Sequence, residues 1–161
     1  MKRICCTALL TAVLMMGCQR AVTITEDESA PDKSPELLGL AWHSSIGTAE
    51  QVMSGYRLEE RNEGVSEDGQ LLTLLEYDDV RLYETPCDVT LSFGDTGLTS
   101  LHYYDDDTAY RTWQERLTGK FGAPVQESET VTVWNDPPID ATAYVYLFRQ
   151  EEDVRISLIA E

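Results

Sequence analysis

Cys87, His43, His102 and the triplet Asp105-Asp106-Asp107 are the side chains with the most chemistry to offer, and their neighbours in the chain decide what each can do. A cysteine attacks or ligates as the thiolate, which needs a nearby base or positive charge. Glu84 and Asp88 flank Cys87 and push its thiol the other way, so it reads as a small apolar strand residue. Neither histidine has a Cys, His or carboxylate at zinc-ligand spacing, so both are expected to be structural residues at or near the surface, and no metal site is expected. The Asp triplet could attract a hard cation, but the alternating spacing and glycine of a calcium loop are missing. It stands just before an apolar run of helical period, where carboxylates meet unpaired N–H groups and the positive end of a helix dipole.

Asp95-Thr96-Gly97 has the lettering of the aspartic-protease triplet, whose chemistry needs two such carboxylates sharing a proton. Here Gly94 precedes it and Leu98 follows, between two apolar runs, and Asp and Gly are what tight turns use. A turn is expected. Gly-x-Ser-x-Gly, the phosphate-binding P-loop pattern and His-Glu-x-x-His do not occur. No catalytic residue is assigned, although two acids meeting in space would leave no such signature, so a hydrolase with a carboxylate pair stays open as an alternative. Trp42, with His43 beside it, stands before a helix, and Trp134 ends a strand beside Asn135-Asp136-Pro137-Pro138. These three residues form the candidate binding surface, although core packing is the favoured reading of the tryptophans, given the area each must bury.

Two helices position these residues. Ser45 or Thr48 can cap a short one in which Ile46, Ala49, Val52 and Met53 share a stripe and Gly55 supplies the stop. In the second, Ala109, Tyr110, Trp113, Leu117 and Phe121 recur at three- and four-residue steps before Gly122-Ala123-Pro124 ends it. Strands are expected at Leu71 to Tyr77, Val80 to Tyr83, Cys87 to Phe93, Leu98 to Tyr104, Thr130 to Trp134, Ala143 to Phe148 and Val154 to Ile159, from their β-branched, aromatic and leucine content. Gly94 to Gly97 and Gln150 to Asp153 look like hairpin connections, which implies an antiparallel sheet. The element order, helix, three or four strands, helix, three strands, suggests a duplicated helix-plus-three-strands unit.

At the N-terminus Lys2 and Arg3 precede an uncharged, mostly apolar stretch, Ile4 to Met16, which reads as a signal peptide. It is well short of the roughly 20 residues of a spanning helix. Its end, Leu14-Met15-Met16-Gly17-Cys18, resembles the lipobox of bacterial lipoproteins, departing from it at Met15, where that family prefers Leu. The resemblance implies cleavage before Cys18 and diacylglycerol on its sulfur, a cell-membrane or outer-membrane anchor, and a domain facing away from the cytoplasm. With two membranes, Gln19 in place of a retention Asp implies the outer one. The alternative is a plain secretory signal cut near Gly17. Cys5 and Cys6 leave with the signal, so Cys87 is the thiol that remains, without a disulfide partner.

The chain therefore divides into a signal peptide at 1–17, a lipidated cysteine and acidic linker at 18–36, and a single domain at 37–161. The linker has two prolines, no aromatic residue and few apolar ones. As coil it reaches on the order of 25 Å, and at most about 60 Å extended. From Leu37 onward, 24 acids against eight bases leave −16, which argues against nucleic acid as a partner and against close contact with an anionic leaflet. The fold class expected is α+β, a two-layer sandwich with both helices on one face of an antiparallel sheet. That element order resembles the small lipoprotein domains of the BamE (SmpA/OmlA) type and the β-lactamase-inhibitor-protein type, families that bind other proteins. The expectation is a non-catalytic protein- or ligand-binding module of the envelope without cofactor, anchored to the membrane by its lipid. A structural envelope-assembly role is the further alternative.

Overall fold

The computed structural model describes residues 35–66, 69–135, 143–151 and 153–160. The expected signal peptide at 1–17, Cys18 and most of the expected linker lie outside these residues, as does the segment that begins at Asp136. Pro35 and Glu36, grouped with the linker by composition, join Leu37 in a 3-10 turn in which Glu36 is almost fully buried. The Tyr83 hydroxyl donates to its carboxylate, Lys120 Nζ lies 3.6 Å from it, and the Tyr103 hydroxyl donates to its backbone carbonyl at 2.6 Å. A buried carboxylate persists because its partners supply what water no longer does.

The first helix, α1, runs Ile46–Val52 and tightens into a 3-10 turn at Met53–Gly55. Ser45 is its cap, accepting from the Thr48 N–H at 3.2 Å. Ala49 and Met53 are buried and Ile46 half-buried, while Val52 turns outward, so the core-facing stripe is narrower than expected. The second helix, α2, runs Tyr110–Phe121 and buries Tyr110, Trp113 and Leu117. Gly122, at φ 83°, closes it with its N–H on the Thr118 carbonyl. The start differs from expectation: the cap position is Ala109, with no side-chain bond, and the first turn holds no acid. Asp105 serves from outside the helix, on the end of a strand.

Eight strands form one sheet: β1 Arg57–Val65, β2 Leu71–Leu82, β3 Thr85–Gly94, β4 Gly97–Asp105, β5 Gln126–Glu127, β6 Val131–Asn135, β7 Ala143–Arg149 and β8 Val154–Ala160. Their order is β1-β2-β3-β4-β8-β7-β6-β5, with every neighbouring pair antiparallel. The chain is thus α+β: helix, four strands, helix, four strands, with the last strand of each run, β4 and β8, paired at the centre. The two segments expected at Leu71 to Tyr77 and Val80 to Tyr83 are one strand, β2, whose pairing with β3 shifts between Tyr77 and Val80.

Side chains alternate across this sheet. One set, which includes Leu75, Leu91, Leu101, Leu158, Val145 and Trp134, is buried and joins the helical side chains in a single core cluster. Trp113 and Trp134 are fully enclosed there, and truncating either to Ala is expected to cost about 3–5 kcal/mol. The other set forms a second face.

Candidate functional site

Following the pairing register across that second face gives a continuous row: Glu60, Glu76, Thr90, His102, Ser157, Tyr146, Val133, Gln126. A parallel row carries Asp88, Tyr104, Arg155, Phe148 and Val131. On its other flank lie Asn62, Leu74, Ser92, Ser100, Ile159, Tyr144 and Asn135. Adjacent strands stand about 4.8 Å apart, so eight span about 34 Å, and a strand of seven residues runs about 24 Å. The face thus covers on the order of 800 Å², the area each partner contributes to a standard protein interface.

Its β6–β8 half is apolar and aromatic. Tyr146 and Phe148 stack with ring centroids 5.8 Å apart, Tyr144 tilts against Tyr146 at 6.2 Å, and the Arg155 guanidinium covers Phe148 at 4.5 Å. All are half-buried, held by each other and open to one side. Alternation along β7 puts three rings on one face because its even-numbered positions, from Tyr144 to Phe148, are all aromatic.

At the centre, His102 joins β4 to β8. Its Nδ1 lies 2.8 Å from Ser157 Oγ and its Nε2 3.0 Å from Ser100 Oγ. Burial, and after it the positive charge of Arg155, lowers the pKa of His102. A neutral imidazole donates through one nitrogen and accepts through the other, which matches a ring held between two hydroxyls. A Ser-His pair is also the start of acyl-transfer machinery. Here Ser157 is almost fully buried, and the nitrogen that a carboxylate would orient is held by Ser100. The chain acts as a cross-strand tie.

An acidic groove of about 470 Å³ lies at one end of the sheet, lined by Asp105, Asp106, Asp107, Glu151, Asp153 and Arg149 among others. Asp105 is nearly buried, and its carboxylate accepts from the Asp107 N–H at 2.9 Å, the Thr108 N–H at 3.1 Å and the Trp113 indole N–H. Burial works to raise its pKa, but these hydrogen bonds outweigh it and hold the carboxyl below the usual aspartate range. The triplet acts through Asp105 as a loop-closing acceptor. Among the described residues no cluster of three metal-ligating side chains occurs.

Cys87 is buried, and desolvation, followed by the charges of Asp105 and Asp88, pushes its thiol up to about 12. A thiolate is therefore absent at neutral pH. Asp95-Thr96 is the turn of the β3–β4 hairpin. Of the surface expected from sequence, Trp134 is corrected: it is fully buried, with its indole N–H on the Gly122 carbonyl at 3.1 Å. Trp42 is half-buried against the core, and its indole N–H meets no acceptor among the described residues. His43 is exposed at φ 64°, with its backbone N–H on the Leu98 carbonyl at 3.0 Å. The three do not make one exposed surface.

Sequence reasoning passed over Tyr144, Tyr146, Phe148, His102 and Arg155 as a group. The alternation of β7 was a usable signal for the first three. Joining them to His102 needs the β4–β8 pairing, which no local pattern announces. Among the described residues no helix is long and apolar enough to cross a membrane. No family model, no curated protein and no solved structure matches the chain.

Proposed function

We propose that this chain is a lipid-anchored, extracytoplasmic binding module of a bacterial envelope, working by contact between its second sheet face and a protein partner. The observation that carries the reading is the half-buried aromatic ladder Tyr144-Tyr146-Phe148 on a face of interface size. Tyrosines present a large, rigid, amphipathic area at low entropic cost, which is why they are enriched in protein interfaces. In this reading the two helices form one layer and the sheet the other, and the two helix-plus-four-strand runs are copies of one unit meeting at β4 and β8. The acidic groove is where a carboxylate-pair hydrolase would work. Its buried acid, Asp105, is held ionised with its acceptor capacity spent inside the protein, which favours binding over catalysis.

Location rests on the leader. Cys18 would carry diacylglycerol, and two acyl chains give stable anchoring where one gives only reversible binding. Material from the native host should therefore fractionate with membranes and show a lipid adduct by intact-mass measurement. The Cys18→Ala variant should appear as uncleaved precursor or in the soluble fraction. A lipid-free mature chain in the wild type overturns the anchor and leaves the face to be tested separately.

A further inference from the structure

The second face is divided by charge as well as by polarity, and the division describes what would cover it. On β1 and β2, Glu60 and Glu76 stand directly opposite one another. Like charges in that position destabilise a sheet. Neither is in an ion pair among the described residues, whereas the arginines of β1 are engaged with Glu59, Asp78, Glu50 and Glu63. On β3, exposed Asp88 lies near Asp78, Asp79 and Asp106, and its pKa is raised by partial burial and then by Asp78. Crowded carboxylates of this kind are relieved when a cation arrives from outside, so the gain is realised only in a complex. Four strand spacings from Glu76 along its row, about 19 Å away, lies Tyr146 with its aromatic neighbours.

Resting on the reading of this face as the binding surface, we propose that the partner is a cationic protein. Its lysine or arginine side chains lie over Glu60, Glu76 and Asp88, and its aromatic or large aliphatic side chains lie on Tyr144, Tyr146 and Phe148. A second copy of this chain brings the same acids to the face and is repelled. Phenolic rings at one end and unneutralised carboxylates at the other fix orientation as well as class, because the partner must carry base and apolar group about 19 Å apart.

The test uses the full chain, purified in detergent with its anchor, against a displayed library of random linear peptides. Enriched sequences should carry Lys or Arg about six residues from an aromatic or large aliphatic residue, the extended separation that spans the two halves. Binding should fall about tenfold or more in Glu76→Lys and in Tyr146→Ala, and as salt rises from about 50 to about 500 mM, with Glu115→Lys on α2 unchanged. Circular dichroism and melting of each variant separate lost binding from lost folding. Binders without basic residues, lost in Tyr146→Ala but indifferent to Glu76→Lys, overturn the cationic class while leaving the face as the binding surface. Binders indifferent to both substitutions, the absence of binders, or self-association abolished by Tyr146→Ala overturn the proposal.

Discussion

Asp105 illustrates how much of this protein's order is tied to single polar atoms. Its carboxylate satisfies two backbone N–H groups of the β4–α2 connection and the indole N–H of the fully buried Trp113. Asp105→Ala strands three donors and is expected to cost about 3 kcal/mol, whereas Asp105→Asn retains one acceptor oxygen and should cost about 1–2 kcal/mol. Because the folded carboxyl lies below its unfolded value near 3.9, its contribution is present above that pH and is lost as pH falls through the folded value. Urea unfolding at pH 7 and at about pH 3 should show the gap between wild type and Asp105→Asn narrowing in acid. A gap constant with pH would mean the ionised form is not what stabilises the loop. At this scale the sequence was partly legible. Acidic neighbours along the chain pointed to a raised thiol pKa at Cys87, but burial is its largest cause and Asp105, distant in sequence, comes before Asp88. Nothing local tied His102 to Ser157, 55 positions away, or hid Trp134 beneath Gly122.

The β3–β4 hairpin is an element whose turn chemistry has a structural cause. Gly97 sits at φ 102°, and a Cβ there would lie 2.4 Å from the His43 carbonyl oxygen and 2.8 Å from that of Ser44. The loop before α1 is laid against this turn by reciprocal bonds, His43 N–H to the Leu98 carbonyl and Leu98 N–H to the Ser44 carbonyl, both 3.0 Å. Gly97→Ala therefore combines a disfavoured backbone angle with a backbone clash, and a loss of about 3 kcal/mol or more is expected. For a domain of this size that corresponds to a fall in Tm of several degrees, roughly ten, by calorimetry. A Tm within about a degree of wild type would mean the loop is not fixed there. Strands with alternating or continuous apolar residues were visible in the sequence because burial wrote that pattern. β1 was not, since all nine of its residues are exposed and it is held by pairing with β2 and by charge pairs such as Arg61 with Glu50. An edge rich in Arg and Glu also discourages pairing with other chains, which is a reason for β1 to carry only Leu58 and Val65 among its charged and polar residues.

At the scale of the whole molecule, 29 acids against 12 bases set the folded state against its own charge. Most of the described ion pairs are exposed, each contributing little, so they do not offset a net −17. Self-repulsion between charges tens of ångströms apart is what salt removes first, because the Debye length shrinks from about 30 Å at 0.01 M to about 8 Å at 0.15 M. Tm is therefore expected to rise by a few degrees, about 2–5, as sodium chloride goes from about 10 to about 150 mM, and then to level off. Glu76→Gln removes one of the two directly opposed glutamates on the second face, so it should raise Tm at low salt and do so less at high salt. Calorimetric melts of both proteins across the series check this. A Tm that falls steadily with salt would mean that favourable pairs such as Arg61 with Glu50 outweigh the repulsion, and the opposed glutamates would then be no reservoir for a cationic partner to draw on.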